Sequence, residues 1–385
     1  MSLGNLLPLS MQNIAKLCLA KDPYTDLDDD LFLLAMKENI LWHRDQNSFY
    51  DRLLEFKNYR SNTLQQIDDL KNVPFILATF FKQYELLSVS RDEVALHLTS
   101  SGTTGQKSQI FFDKWTIGVA QGMVDEIFRY YNWIETESDV NYLLYSYEPV
   151  KKHEKLGTAY TDNFLCKYAK PNSVHYALKE SSPGKYEFDL FGTVEALERF
   201  SLEGLPVRIF GFPAFFYFTL EYLAAMGGVS NMLNPNSLVF LGGGWKNHQN
   251  KAIKKKELYK MANDILGIPD ERLRDGFGSV EHCIPYIECA NHNFHIPKWS
   301  RVLIRDVATL EPVEYGISGY LNLISPYITS VPANSVLMTD LAKMFPARSC
   351  GCGIETPYFE IVGRAGTTAS KSCAVNALDL LKGRN

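Results

Sequence analysis

Residues 98–108 read LTSSGTTGQKS, and no other stretch of the chain restricts its chemistry as tightly. Ser100, Ser101, Gly102, Thr103, Thr104 and Gly105 set hydroxyls and glycines side by side, with Lys107 just beyond. Hydroxyls donate to phosphate oxygens, glycines let backbone N–H groups approach an anion closely, and the lysine adds a point charge. Val94, Leu96 and Leu98 alternate just before the run, so it is expected to leave the end of a strand, where α/β folds bind ligands. A plain Ser/Thr/Gly surface loop is the alternative on composition alone. The run is not a Walker A loop, because Gln106 separates Gly105 from Lys107 and that motif needs Gly and Lys adjacent.

Residues 1–80 read as mainly helical, with one apolar stripe through Leu31, Leu34, Ala35 and 38–41 and another through Phe49, Leu53 and Leu54. From 94 to 345, strand-like runs alternate with helical ones. Strands are expected at 140–147, 207–210, 238–241 and 320–324, and helices at 116–131, 193–203, 214–226 and 248–266. That alternation argues for a layered α/β domain. The basic cluster KAIKKK at 251–256 is expected on the solvated face of the last helix.

Bulk properties exclude several classes. With 46% apolar and 22% charged residues over 385 positions, neither disorder nor a coiled coil describes the chain. A net charge of −5 argues against a nucleic-acid partner held by bulk charge. Seven scattered cysteines favour reduced thiols and a cytoplasmic location. Residues 1–20 lack a basic start and an unbroken apolar core, and the aromatic run 210–220 is broken by Gly211 and Pro213. Neither a targeting signal nor a transmembrane segment is therefore expected.

The 98–108 run resembles the phosphate-binding loop of the adenylate-forming enzymes, which join a carboxylate to AMP. The nearer branch is the acyl-protein synthetases of bacterial bioluminescence (LuxE type), with phenylacetate–CoA ligases as cousins. Most of the superfamily carries a proline before the lysine; this chain does not. Residues 238–246, LVFLGGGWK, form a strand running into glycines, and the resemblance implies that Gly243 and Gly244 leave room for a flat adenine. In 275–282, DGFGSVEH, it places Phe277 on the adenine, Gly278 and Ser279 by the phosphate, and Glu281 on Mg²⁺, a hard cation that prefers carboxylates. Met338-Thr339-Asp340 resembles the family's Thr-Gly-Asp, whose Asp accepts from the ribose hydroxyls. Val362-Gly363-Arg364 resembles the Gly-Arg that reaches ribose or phosphate.

Two departures matter. The superfamily continues about a hundred residues beyond its Gly-Arg into a lid carrying an adenylation lysine; here 385 − 364 = 21 residues follow, with Gly366 at the hinge position. The expected organisation is a large domain over 1–362 and a short remnant over 363–385, with Lys107, Lys246 or Lys371 open as sources of the missing charge. The tail also holds Cys373, placed like the acyl-accepting cysteine of acyl-protein synthetases. A thiolate there displaces AMP from an adenylate and keeps the acyl group as a thioester, and Lys371 lowers the thiol pKa. An incidental cysteine on a terminal helix is the alternative.

Cys289 and His295, followed by Cys350-Gly-Cys352, suit a structural, tetrahedral Zn²⁺, with His292 and Cys283 as alternative ligands. Similar positions hold zinc in some phenylacetate–CoA ligase relatives. His153, His175 and His248 stand alone and read as surface or packing residues. Phe212 and Phe215 fall where the family lines its acyl pocket, although aromatic residues here also pack a helix on a sheet.

The resulting expectation is an ATP- and Mg²⁺-dependent acid–thiol ligase. It activates a carboxylic acid, fatty or aryl with a long-chain fatty acid favoured, as acyl-AMP. Cys373 then carries the acyl group to a partner such as an acyl-accepting reductase subunit. The alternatives are a CoA ligase that leaves Cys373 idle and a non-catalytic nucleotide-binding subunit.

Overall fold

The computed structural model describes residues 3–25, 27–99, 109–149, 164–182, 185–227 and 232–365. Its strands are β1 (Ile76–Leu77), β2 (Val94–Thr99), β3 (Gln109–Asp113), β4 (Glu135–Tyr147), β5 (Ala169–Ser182), β6 (Lys185–Phe188), β7 (Val207–Gly211), β8 (Leu238–Gly242), β9 (Leu273–Phe277), β10 (Tyr286–Ile287), β11 (Phe294–His295), β12 (Arg301–Arg305), β13 (Gly319–Ile324), β14 (Ser335–Phe345) and β15 (Tyr358–Arg364).

β7 is buried at every position, as expected of a strand covered on both faces. It sits at the centre of a seven-stranded sheet of order β10-β9-β8-β7-β4-β5-β6. From β9 to β5 the strands run parallel, and the two edge strands are antiparallel. Side chains alternate across it. Leu143, Tyr145, Ile209, Val239 and Leu241 share a core with helices Leu190–Glu203, Pro213–Ala225 and Lys255–Leu266. On the opposite face, Phe240 meets Phe128 of helix Lys114–Tyr130 with ring centroids 6.0 Å apart. The helices start where the sequence supplies caps: Asp113 accepts from the Thr116 N–H, Asp189 from the Gly192 N–H, and Pro213 opens the next helix.

After β4 the chain steps outward to β5, then returns to the other side of β4 as β7 and continues to β8 and β9. Connections therefore diverge between β4 and β7, and the crevice beyond the carboxyl ends there is the usual ligand position. A second sheet, β11-β15-β14-β13-β12, is antiparallel, with β1 added parallel to β14. Helices Gln12–Cys18, Asp29–Gln46 and Ser48–Phe56 make up the N-terminal part. No helix of the described residues is long and apolar enough to cross a membrane.

The layered α/β reading holds, with three local corrections. Leu34 and Leu41 are 47% and 37% exposed; the buried face of Asp29–Gln46 runs instead through Phe32, Ala35, Met36, Asn39, Ile40 and His43. The expected helix 248–266 begins at Lys255, after a separate 3-10 turn Lys246–Lys251. Lys254, Lys255 and Lys256 fall at the N-cap and first turn of this helix, and Lys255, only partly exposed, pairs with Glu288. Finally, among the described residues β2 pairs only with β3, in a two-stranded antiparallel hairpin and not in the parallel sheet. Its last described pair, Thr99 with Gln109, brackets the 100–108 run.

Candidate functional site

Strand register gathers the separate motifs. Tyr145 lies beside Gly211, Gly211 beside Leu241, and Gly242 beside Gly276. Glycine is required at 211, where φ is +117° and an added Cβ would fall 2.4 Å from the Tyr145 carbonyl oxygen. Beyond β8, Gly243 and Gly244 both take positive φ, 74° and 68°, which turns the chain sharply at the strand end.

β9 and β10 form a hairpin, Phe277 opposite Tyr286, whose tip carries Ser279 and Glu281. The tip is closed by N–H groups of His282 and Cys283 donating to the Ser279 carbonyl at 3.2 and 2.7 Å. Cys283 sits at φ +56°, a strained value for a non-glycine residue. Phe277 is half-buried against Phe359 at 5.7 Å and Tyr286 at 6.2 Å. The Ser279 hydroxyl donates to Met338 Sδ at 3.9 Å, which joins this hairpin to the Met338–Asp340 segment. Glu281 is 6% exposed and has no hydrogen-bond or ion-pair partner among the described residues. Its oxygens are therefore open to a divalent ion, a hard cation that prefers carboxylates.

Asp340 on β14 lies directly opposite Arg364 on β15, 3.6 Å from its guanidinium. Burial raises the Asp340 carboxyl above its ordinary pKa, and Arg364 partly offsets this. Behind β9, Glu288 is fully buried and accepts from Lys255 Nζ, the Tyr259 hydroxyl at 2.8 Å and the Asp275 N–H at 2.8 Å. Burial would lower the Lys255 ammonium, but Glu288 and Asp275 hold it above its usual range. Burial, then the neighbouring Glu288, pushes Asp275 up to about 7.

A cavity of about 430 Å³ opens at the carboxyl end of β4, walled by Tyr147, Leu178, Tyr186, Phe188, Phe215, Phe218 and His248. Phe215 therefore lines it, whereas Phe212 is fully buried and backs Tyr147 and Phe215, with centroids 5.7 and 6.3 Å away. A larger cavity, about 650 Å³, lies against helices Asp29–Gln46 and Ser48–Phe56 and holds none of the candidate residues.

Cys289, His295, Cys350 and Cys352 place one ligand atom each within 4.8 Å of one another. Cys289 and Cys350 sulfurs are 3.5 Å apart, and Cys352 Sγ is 3.3 Å from His295 Nε2. Zn–S and Zn–N bonds of about 2.3 and 2.0 Å give tetrahedral edges of about 3.5–3.8 Å, so the group fits zinc. His295 Nδ1 donates to the Thr356 carbonyl at 2.6 Å, leaving the Nε2 lone pair facing the sulfurs. N–H groups of Asn291, Ile354 and the Asn293 amide point at the three sulfurs at 3.2–3.5 Å. Burial pushes Cys289 up to about 12. Cys350 falls below its usual value because hydrogen bonds from Asn293 and the neighbouring thiols outweigh burial. The alternative ligands are placed elsewhere: His292 engages Asp270 at 2.9 Å, and Cys283 lies against Tyr327.

The structure thus brings together Gly243, Gly244, Phe277, Gly278, Ser279, Glu281, Asp340 and Arg364. Ser100, Ser101, Gly102, Thr103, Thr104, Gly105, Lys107, Lys371 and Cys373 lie outside the described residues. Sequence reading missed the Lys255–Glu288 network and the cavity residues Tyr147, Tyr186 and His248. Strand alternation around 142–147 and 185–188 could have flagged the tyrosines.

The acyl-protein synthetase (LuxE) family profile matches residues 7–381. The long-chain-fatty-acid–luciferin-component ligase of Aliivibrio fischeri is 25% identical over 86% of this chain and 85% of its own length. That of Vibrio harveyi is 24% identical over 89% and 86%. A crystal structure of 2-hydroxyisobutyryl-CoA ligase superposes with a TM-score of 0.67 at 14% identity, over 91% of this chain and 73% of that one, and so shares its fold. By that match over almost its whole length, the chain belongs to the LuxE acyl-protein synthetase family and has the adenylate-forming ligase fold.

Proposed function

We propose that this ligase activates a long-chain fatty acid with ATP and passes the acyl group through Cys373 to a partner protein. The observation that carries the reading is Glu281, a buried residue whose carboxylate has no partner among the described residues, on the same hairpin as Phe277 and Ser279 and next to the Gly242–Gly244 corner. A carboxylate oxygen of the acid attacks the α-phosphorus of ATP, and the bond to pyrophosphate breaks. The Cys373 thiolate then attacks the acyl carbonyl and AMP leaves, giving an enzyme thioester. The final acceptor is a protein nucleophile, a reductase-like subunit.

In this reading Ser100 to Gly105 and Lys107 hold the phosphates, and Gly243, Gly244 and Phe277 flank the adenine. Asp340, oriented by Arg364, accepts from the ribose hydroxyls. Glu281 holds Mg²⁺, which when bound neutralises charge developing on the phosphate oxygens. Phe215, backed by Phe212, lines the acyl pocket. Cys289, His295, Cys350 and Cys352 hold a structural Zn²⁺ that ties the segment after the hairpin to the segment before β15. Residues 1–362 act as the adenylating domain, and 363–385 deliver Cys373.

The test is ATP–pyrophosphate exchange against fatty and aryl acids, with intact-mass analysis of the same reactions. Acid-dependent exchange with one acyl adduct, the adduct alone lost in Cys373→Ala, is the expected result. Exchange without an adduct points to an outside acceptor such as CoA. No exchange with any acid rejects the proposal.

A further inference from the structure

The aromatic cavity has a polar edge, and it lies on the side of the glycine corner. The short turn Lys246–Lys251 follows directly from Gly243 and Gly244. From it, His248 reaches the cavity wall with its ring edge-on to Phe215 and Phe218, centroids 5.5 and 5.0 Å away. Its ring nitrogens have no hydrogen-bond partner among the described residues. Lys251 Nζ sits 5.0 Å over the ring of the same Phe218 and has no acidic partner among the described residues. The facing wall is different in kind. Leu178 and Phe188 carry no polar side-chain atom, and the Tyr186 hydroxyl donates to the Glu148 carbonyl at 3.4 Å.

A site with apolar walls and a donor and a cation at one edge fits an amphipathic anion, with its tail among the rings and its head at the edge. Because that edge continues from the strand end beside Gly276, the head group faces the corner where the nucleotide is proposed to lie. We infer that His248, with Lys251 beside it, receives the carboxylate of the acid and orients it for adenylation. This inference rests on the proposed acid activation.

Three variants separate recognition from packing. His248→Phe keeps the ring contacts and removes the donor, His248→Gln restores a donor without the ring, and Lys251→Met removes the charge. With octanoic, dodecanoic, hexadecanoic and phenylacetic acids in the exchange assay, His248→Phe raises KM for the acid about tenfold, the loss of about one hydrogen bond to a charged group. KM for ATP stays unchanged, His248→Gln recovers part of the loss, and Lys251→Met raises KM for the acid a few-fold. Calorimetry adds a second readout: wild type binds dodecanoic acid more tightly than dodecan-1-ol, and His248→Phe binds the two equally. Wild-type KM in His248→Phe, or equal weakening of acid and alcohol, reduces His248 to packing and overturns the inference. If wild type exchanges with no acid, the adenylation reading fails, and the acid–alcohol comparison still decides the role of His248.

Discussion

Glu288 joins two parts of this molecule, and its removal should be felt in proportion to the donors it satisfies. Its carboxylate takes Lys255 Nζ, the Tyr259 hydroxyl and the Asp275 N–H, and its own N–H donates back to the Asp275 carbonyl at 3.1 Å. The next residue is Cys289, so the β9–β10 hairpin and the Cys/His cluster share this anchor. In Glu288→Ala the Lys255 ammonium loses its partner and two neutral donors are left buried. Breaking a buried pair costs about 3–5 kcal/mol, and each orphaned donor about 1–3 kcal/mol. Two features lower the sum. The Lys255 side chain keeps 38% of its exposure, which screens the charge, and Asp275 lies 4.0 Å away and takes over as counter-ion. The net expectation is about 3 kcal/mol for Glu288→Ala and about 1.5 kcal/mol for Glu288→Gln, which keeps the shape and two acceptor contacts. Replacing both partners, Lys255→Met with Glu288→Met, should cost less than Glu288→Ala alone, because the ammonium is removed with its partner and Asp275, left without a cation, can take up a proton. Urea unfolding followed by tryptophan fluorescence reads these differences from the midpoints. A Glu288→Ala midpoint equal to wild type, or a double variant less stable than the single, refutes the reasoning.

Other consequences can be measured with the same preparations. Glu281→Gln should lower pyrophosphate exchange by about a hundredfold or more while leaving the unfolding midpoint unchanged, since the carboxylate has no partner to lose among the described residues; a lower midpoint would make Glu281 a structural residue instead. Elemental analysis should find about one zinc per chain, lost in Cys352→Ser together with part of the stability; a metal-free wild type retaining full stability rules this out. Asp275 has a folded pKa raised to about 7, so the folded state binds its proton more tightly than the unfolded chain does. That stabilisation is full below the ordinary carboxylate range and is lost as pH rises toward 7. Asp275→Asn should therefore show a smaller fall in stability than wild type between acidic and neutral pH, and parallel pH profiles would contradict the assignment.

The parts legible in the sequence were those whose physics is local. The parallel strands around 140–147, 207–210 and 238–241 announced themselves as apolar runs, and the glycine corner and the hairpin motif lay on contiguous residues. What could not be read depends on contacts between distant segments. His248 looked like a packing residue because nothing near it in sequence says that Phe215, Phe218 and Tyr147 meet around it. The KAIKKK cluster looked like a solvated helix face because Glu288, thirty-three residues after Lys255 (288 − 255), is the group that draws Lys255 inward. The Cys/His cluster lies between these cases: Cys350-Gly-Cys352 is a local signal, but the choice of His295 over His292 needed the Thr356 carbonyl and Asp270 to hold each ring in its place.

The pairing of Asp340 with Arg364 shows how finely such long-range placement is set. From Phe345 opposite Tyr358 to Ala342 opposite Ile361, β14 and β15 run in one register; beyond it, Leu341 faces Gly363 and Asp340 faces Arg364. Val362 is the extra residue, half-exposed and without an opposite number. Such a bulge re-aims every side chain beyond it. Were Val362 paired regularly with Leu341 instead of bulging, Gly363 would stand opposite Asp340 and Arg364 opposite Thr339. The spacing between the Asp and Gly-Arg motifs therefore does more than bring two strands together. That Val362 bulges out instead of pairing sets the Arg364 guanidinium beside the carboxylate proposed to hold the ribose, where it partly offsets the burial of Asp340.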